Sequence, residues 1–232
     1  MVMALGTVVA AAHFPGGYDW AYTVISWLAS TRRNPVGARW LSGGALVGVV
    51  LLWPVTSYLL RAHATGEGKL PRAAVASLRV GLAGGAVLGV EGLLALRFSD
   101  HLHKAHEAVA IVTFLGFYGG VLGLYAHLIR DRLAALAPAL LVILPLLAVG
   151  VTQLVLYLGQ EELGWVRPEW REIGVPVWLS FAFWQWIAVV LLAVGLGYLA
   201  WAGGSVDERG PPTHEKSPDS ASAADPRGMY DA

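Results

Sequence analysis

The sequence predicts an all-α integral membrane bundle of six transmembrane helices, with a short interfacial helix in the first loop. Of the 232 residues, 56% are hydrophobic and only 14% are charged, against about 25% charged residues in an ordinary soluble domain. Glycine and tryptophan are abundant, at 28 and 10 residues, as in closely packed membrane helices with aromatic belts at the two interfaces. Long apolar segments recur along the chain.

Six apolar segments account for the predicted spans. A helix that crosses a bilayer needs roughly 20 mostly apolar residues, and five segments have that length. They are residues 38–60, 74–96, 105–128, 133–158 and 177–202. The segment Val2–Ala12 is shorter and has no basic start or cleavage site of a signal peptide. We predict that it is a first transmembrane helix, either tilted into the bilayer edge or shortened by a late start codon.

The six spans form one predicted domain, residues 1–202, followed by a polar tail at 203–232 that is rich in Pro, Ser, Asp and Ala. A segment with so little apolar surface to bury is expected to be disordered. The spans place the loops alternately on two sides. The loops 13–37, 97–104 and 159–176 lie on one side, which we call the first face; the other two loops and both termini lie on the second face.

The orientation prediction comes from the tail, because Lys and Arg residues occur in similar numbers on both faces and the positive-inside rule does not decide. A long polar tail is easier to leave in the cytoplasm than to export. We therefore predict a protein of the bacterial inner (plasma) membrane with the second face and the tail in the cytoplasm. The first face is then extracytoplasmic.

Polar side chains within the spans gather in the half nearer the first face, whereas the opposite half holds little beyond Arg79, Thr56 and Ser57. A buried carboxylate without a partner is costly in such a place. A polar cavity that opens to the first face is the simplest account. Its predicted lining includes Glu91, His106, Glu107, Gln153 and Gln185.

A cluster of ionisable residues lies where the third long apolar segment begins. His103 and His106 are three residues apart, and His103 and Glu107 are four apart, spacings that put all three on one helical face. Together with Asp100, the two histidines could hold Zn²⁺. Alternatively, these histidines form an interfacial collar that binds headgroups and water. The sequence leaves both interpretations open.

The first loop carries a second informative pattern. Trp20, Val24, Trp27 and Leu28 share one helical face, which predicts the short helix lying in the plane of the interface. Arg32 and Arg33 follow at headgroup level, where guanidinium groups are well suited to phosphate. Simple anchoring of the loop by aromatic and basic residues is the alternative.

This loop resembles an uncharacterised bacterial six-helix membrane family, a domain of unknown function that is itself similar to the DRAM/Sfk-type membrane proteins. The matching residues are Pro15, Tyr18, Ile25, Ser26, Leu28, Asn34 and Pro35. The chain departs from the pattern at Trp27, where an acidic residue is usual, and at Ala29, where glycine is usual. The resemblance implies a link to lipid organisation and carries no established reaction.

The sequence therefore predicts a multi-pass membrane protein that binds a lipid headgroup or a small amphiphile in a first-face pocket. Membrane lipid is the expected partner; no basic patch suggests nucleic acid, and the oligomeric state is left open. The predicted binding residues are Arg32, Arg33, Glu91, His103, His106, Glu107, Gln153 and Gln185.

Two alternatives belong to other functional classes. One is a metal-dependent intramembrane hydrolase, similar in logic to the ceramidase-like group. In it His103, His106 and a third ligand such as Asp100 or His13 would hold Zn²⁺, and Glu107 or Glu91 would act as general base. The other is two-haem electron transfer. Its ligands would be His13 and His106 near the first face and His63 and His127 near the second.

Overall fold

The computed structural model describes residues 1–63, 69–96, 104–131, 136–163 and 171–207. This part of the chain contains helices and no strand. The seven α-helices are α1 (Val2–Ala12), α2 (Ile25–Leu28), α3 (Ala38–His63), α4 (Lys69–Leu94), α5 (Ala105–Asp131), α6 (Leu136–Leu163) and α7 (Phe181–Asp207). Five of them are long and apolar enough to cross a membrane, and α1 is a shorter apolar helix. The predicted all-α membrane bundle is confirmed.

The five long helices have 26 to 28 residues each. At the helical rise they are about 39 Å long or more, longer than the roughly 30 Å hydrocarbon core of a bilayer. Pro71 and Pro138 lie in the first turns of α4 and α6, where a missing N–H leaves no hydrogen bond unmade. Pro54 and Pro145 lie inside α3 and α6.

Helix α1 covers only the first-face half of the bundle. Its 11 residues span about 16 Å, and it packs against the beginning of α3. A Cβ on Gly6 would lie 2.6 Å from the carbonyl oxygen of Trp40, so the two backbones touch at this point. On the other side of α1, Leu5 and Val8 are exposed, as expected for side chains that face lipid.

Helices α4 and α5 are in closest contact along a seam of small residues. A Cβ on Gly116 would lie 2.6 Å from Gly81 Cα and 2.8 Å from the Ser77 carbonyl oxygen. The Ser77 hydroxyl donates a hydrogen bond to the Gly116 carbonyl oxygen, at 3.0 Å. Further along the pair, Thr113 lies against Gly84. This seam fixes the antiparallel register of the two helices.

The main apolar core lies between the five long helices, α3 to α7, towards the second face. Its fully buried members include Leu59, Leu78, Leu124, Tyr125 and Leu199. The Tyr125 hydroxyl donates a hydrogen bond to the Gly195 carbonyl oxygen, at 3.1 Å, which satisfies its polar atom inside the core.

Most ends of the long helices differ from the predicted spans, by at most five residues, and two differences concern the tail and the first loop. Helix α7 continues to Asp207, five residues into the segment assigned to the tail, and residues 208–232 lie outside the described part of the chain. The interfacial helix is a single turn, α2. Trp20 precedes that turn and is exposed, because the backbone from 13 to 24 forms turns instead of a helix.

Candidate functional site

The carboxylate of Glu91 is held in the last turn of α4. The helix ends where Ala95 adopts a left-handed backbone conformation with a φ of 55°. The amide of Leu96 then donates back to the Glu91 carbonyl oxygen, at 3.0 Å, in the manner of a Schellman cap. The Glu91 residue is buried. The cap thus positions this carboxylate just inside the first-face end of the bundle.

His106 lies opposite, in the first turn of α5. Its Nδ1 is 2.7 Å from Glu91 Oε2, and the side chains are 31% and 11% exposed, respectively. The α4–α5 seam accounts for this meeting. Gly84 on α4 contacts Thr113 on α5. Glu91 lies seven residues after Gly84, and His106 lies seven residues before Thr113. Because the two helices are antiparallel, Glu91 and His106 therefore lie at the same level. When Nδ1–H donates to the carboxylate, Nε2 is the ring nitrogen left to contact a ligand.

The Glu91–His106 pair forms one wall of a cavity of about 460 Å³ at the first-face end of the bundle. The opposite wall comes from α2 and the turn that follows it. The lining residues are Ser26, Trp27, Ala29, Ser30, Thr31, Arg32, Leu88, Glu91, Gly92 and His106. The cavity thus combines a permanent cation, three hydroxyl groups, a carboxylate–imidazole pair and an apolar portion.

Asn34 fixes the α2 wall of the cavity from behind. It is fully buried, and its Nδ2 donates to the carbonyl oxygens of Ala10, at 2.9 Å, and Leu28, at 3.2 Å. Its Oδ1 accepts a hydrogen bond from the Gly37 amide, at 3.0 Å. One amide group therefore joins the end of α1, the end of α2 and the start of α3. Neither periodicity nor charge in the sequence indicates this role of Asn34.

Contacts from the last helix and the segment before it hold the first loop in place. The Gln185 Oε1 accepts from the Ile25 amide, at 3.2 Å, and the Ser180 hydroxyl donates to the Ala21 carbonyl oxygen, at 2.5 Å. Arg171 forms an ion pair with Asp19, with 2.7 Å between Nε and Oδ2. Gln185 is therefore a support for α2, not part of the cavity lining.

An aromatic cluster stands beside this support. Tyr18 contacts the rings of Phe14 and Trp20, with centroids 5.3 and 5.0 Å apart, and Trp20 also contacts Trp186 at 4.9 Å. The Tyr18 hydroxyl donates to the Thr23 carbonyl oxygen, at 2.6 Å. Burial raises the pKa of Tyr18 above its ordinary value, so the phenol stays neutral and keeps donating this bond at physiological pH.

The two neighbouring arginines have different surroundings. Arg32 lines the cavity, whereas the guanidinium of Arg33 lies over the ring of Trp27, 3.4 Å from its centroid, in a cation–π contact. Burial, and then the charge of Arg32, lower the pKa of Arg33 below its ordinary value. An anion beside Arg32 would relieve the repulsion between these two adjacent cations.

The structure brings together three of the eight predicted binding residues, namely Arg32, Glu91 and His106. Arg33, Glu107, Gln153 and Gln185 do not line the cavity. Gln153 instead lies between helices, where its Oε1 accepts from the Tyr118 hydroxyl, at 3.2 Å. Position along the spans indicates the depth of a residue but does not show which helices are neighbours. His103 lies outside the described residues.

The zinc and haem alternatives depend on the remaining histidines. Within the ranges that the structure describes, no three His, Asp or Glu side chains could hold a metal ion. Asp100 and His103 lie outside those ranges, so the zinc site with His106 stays a prediction. Three of the histidines named above as haem ligands have a ring nitrogen within hydrogen-bonding distance of a backbone carbonyl oxygen. The contacts are His13 to Val9, at 2.8 Å, His63 to Leu199, at 3.4 Å, and His127 to His63, at 2.6 Å.

No protein-family model, no curated protein and no solved structure matches the chain.

Proposed function

We propose that the protein binds the polar headgroup of a membrane lipid, or of another small amphiphile, in the first-face cavity. The observation that carries this proposal is the composition of the cavity wall. Arg32 lies among its lining residues together with the Glu91–His106 pair, at the membrane-boundary end of the bundle. These groups are complementary to a molecule that has both an anionic group and a hydrogen-bond donor.

The chemistry of the two walls supports a headgroup as the ligand. A guanidinium binds phosphate or carboxylate with paired, charge-assisted hydrogen bonds. A carboxylate–imidazole pair accepts hydrogen bonds from hydroxyl or ammonium groups. The hydroxyl groups of Ser26, Ser30 and Thr31 supply further polar contacts along the cavity. A phospholipid headgroup carries a phosphate next to a hydroxyl or amine, and thus matches both walls.

The apolar portion of the cavity supports an amphiphile over a fully soluble molecule. Trp27 and Leu88 contribute to the lining, and nearby on α4 the side chains of Val87, Leu93 and Leu94 are exposed. Exposed apolar side chains on a spanning helix are suited to contact with acyl chains. A headgroup in the cavity can therefore remain attached to chains that stay in the bilayer.

We place the first face outside the cytoplasm of a bacterial cell, with the protein in the plasma membrane. The polar tail supports this orientation, because a long polar segment is easier to leave in the cytoplasm than to export. The chain contains no cysteine, so a Glu172→Cys variant would carry a single thiol, at an exposed position on the first face and outside the cavity. A membrane-impermeant maleimide is expected to label it in intact cells. Labelling only after the cells are permeabilised would place the first face inside.

The difference between Arg32 and Arg33 provides a matched test of the proposed function. We expect the Arg32→Gln variant to retain at least tenfold less co-purified lipid than the parent protein, because a charge-assisted contact contributes about 1.5–3 kcal/mol. The Arg33→Gln variant removes the same charge one residue away, and we expect it to change lipid retention less than about threefold. Native mass spectrometry after mild detergent extraction measures both. Equal retention by the parent and Arg32→Gln proteins would contradict the proposal.

A further inference from the structure

The cation Arg79 lies inside a predicted span, away from the first-face cavity. It is ten residues after Lys69, the first residue of α4, and therefore about 15 Å along the helix from its second-face end. A charged side chain at such a depth is costly unless it has partners, and it is by default a functional hypothesis. The first-face cavity does not involve this residue.

The partners of Arg79 are neutral. Its Nε donates to Thr56 Oγ1 and one terminal nitrogen donates to Ser57 Oγ, both at 3.1 Å. The guanidinium also lies 5.8 Å from the centroid of the Trp53 ring. Among the residues that the structure describes, no carboxylate forms an ion pair with Arg79. A guanidinium has five N–H donors, and the two hydroxyls accept hydrogen bonds from only two of them. The remaining donors and the positive charge are therefore available to a ligand.

The hydroxyl contacts also show in which direction the guanidinium extends. Thr56 and Ser57 lie on α3, seven and six residues before its last residue, His63. Continuing the register of the Gly92–Ser42 contact along both helices places the Arg79 backbone level with Val55, so Thr56 and Ser57 lie about 1.5 and 3 Å nearer the second face. The side chain therefore reaches towards the second face, in the manner of a snorkelling arginine.

Two exposed arginines continue this path to the second face. Arg61 lies one turn beyond Ser57 on α3, and Arg72 lies two turns before Arg79 on α4. The antiparallel register of the two helices follows from the contact of Gly92 with Ser42. This register brings Arg61 and Arg72 to nearly the same level. Three cations thus follow the outer surface of the α3–α4 hairpin from within the membrane to its edge.

We propose that this surface binds the phosphate of an anionic phospholipid from the second-face leaflet. The phosphate would lie between Arg79 below and Arg61 and Arg72 above, which gives it guanidinium donors on both sides. Trp53, whose side chain is 45% exposed, would pack against the glycerol backbone and the upper acyl chains. This lipid site is at the opposite end of the helices from the cavity and does not depend on what the cavity binds.

The depth of Arg79 favours a phospholipid over inorganic phosphate. A phosphate that reaches this guanidinium must lie below the level of Arg61 and Arg72. The apolar surroundings there disfavour a free ion but accommodate the acyl chains to which the phosphate of a phospholipid is attached. Exposed Val50 and Val80 flank the same surface and are suited to contact with such chains.

The test compares the melting temperature of the purified full-length protein in detergent with added phosphatidylglycerol or with added phosphatidylcholine. We expect phosphatidylglycerol, but not phosphatidylcholine, to raise the melting temperature of the parent protein. The Arg79→Gln variant is expected to need at least about tenfold more phosphatidylglycerol for the same rise. The Arg39→Gln variant, which removes an exposed charge near the first-face end of α3, should respond like the parent.

Three outcomes would overturn the lipid site. They are an undiminished phosphatidylglycerol response in Arg79→Gln, an equal loss in Arg39→Gln, and a rise of the same size with inorganic phosphate alone. If Arg79→Gln does not fold, Arg72→Gln replaces it, because Arg72 is exposed and its loss should leave the helix pair intact. We expect that variant to need about threefold more phosphatidylglycerol, and an unchanged response in it would also overturn the site.

Discussion

Replacement of Glu91 by alanine is expected to lower the affinity of the first-face cavity for its ligand by about 10- to 100-fold. The substitution removes a hydrogen bond between a carboxylate and an imidazole at 2.7 Å. A hydrogen bond to a charged group contributes about 1.5–3 kcal/mol, which corresponds to this range of affinity. It also leaves the half-buried ring of His106 without the carboxylate that orients it. Lipid retained in native mass spectrometry measures the loss.

Glu107→Ala is the matched control for this prediction. Glu107 is adjacent to His106 and is half-buried. It has the same kind of side chain as Glu91, but it does not line the cavity. We expect the Glu107→Ala protein to retain ligand within about threefold of the parent. If both variants lose ligand equally, the loss would come from negative charge near the first face in general. That result would contradict a specific role of the Glu91–His106 pair in ligand binding.

Replacement of Gly116 by alanine is expected to lower the melting temperature by about 5 °C. The new Cβ would lie 2.6 Å from Gly81 Cα and 2.8 Å from the Ser77 carbonyl oxygen, and these backbone atoms cannot move without separating α4 from α5. Overpacking of this kind costs about 1–3 kcal/mol, which for a chain of this length corresponds to several degrees. The hydrogen bond from Ser77 to the Gly116 carbonyl oxygen would be lost as well.

This seam prediction has its own control and a functional consequence. Gly197 lies within α7 and a Cβ there would meet nothing within 4 Å, so Gly197→Ala should melt within about 1 °C of the parent. Because the seam sets the level of Glu91 and His106, Gly116→Ala should also weaken ligand retention. A Gly116→Ala protein that melts like the parent would contradict the close packing of α4 on α5.

The sequence predicted the helices well because hydrophobic length alone determines which segments can span a bilayer. It also predicted that Glu91 and His106 both lie in the half of the spans nearer the first face. The residues between them include Asp100 and His103, which lie outside the described part of the chain. Glu91 and His106 meet because Gly81, Gly84 and Gly116 allow the backbones of α4 and α5 to come into contact. Glycine content was noted in the sequence, but which glycines face each other depends on the helix pairing.

The role of the first loop was harder to predict. Helical periodicity grouped Trp20 with Trp27, but the helix in this loop, α2, begins only at Ile25. Asn34 determines how α2 packs. A buried asparagine beside a proline has no periodic signal in one sequence. Likewise, Arg32 and Arg33 are equivalent by composition. Only the stacking of Arg33 on Trp27 separates the arginine that lines the cavity from the one that does not.

Occupancy of the cavity by a lipid headgroup is tested most directly by the reactivity of Ser30→Cys. Ser30 lines the cavity, and the absence of other cysteines makes the new thiol the sole target of a small maleimide. We predict that the thiol reacts about tenfold more slowly in phospholipid nanodiscs than in detergent after lipid removal. Glu172→Cys, at an exposed position on the same face, should react at similar rates in both. Equal reactivity of the Ser30→Cys thiol with and without lipid would contradict headgroup binding in this cavity.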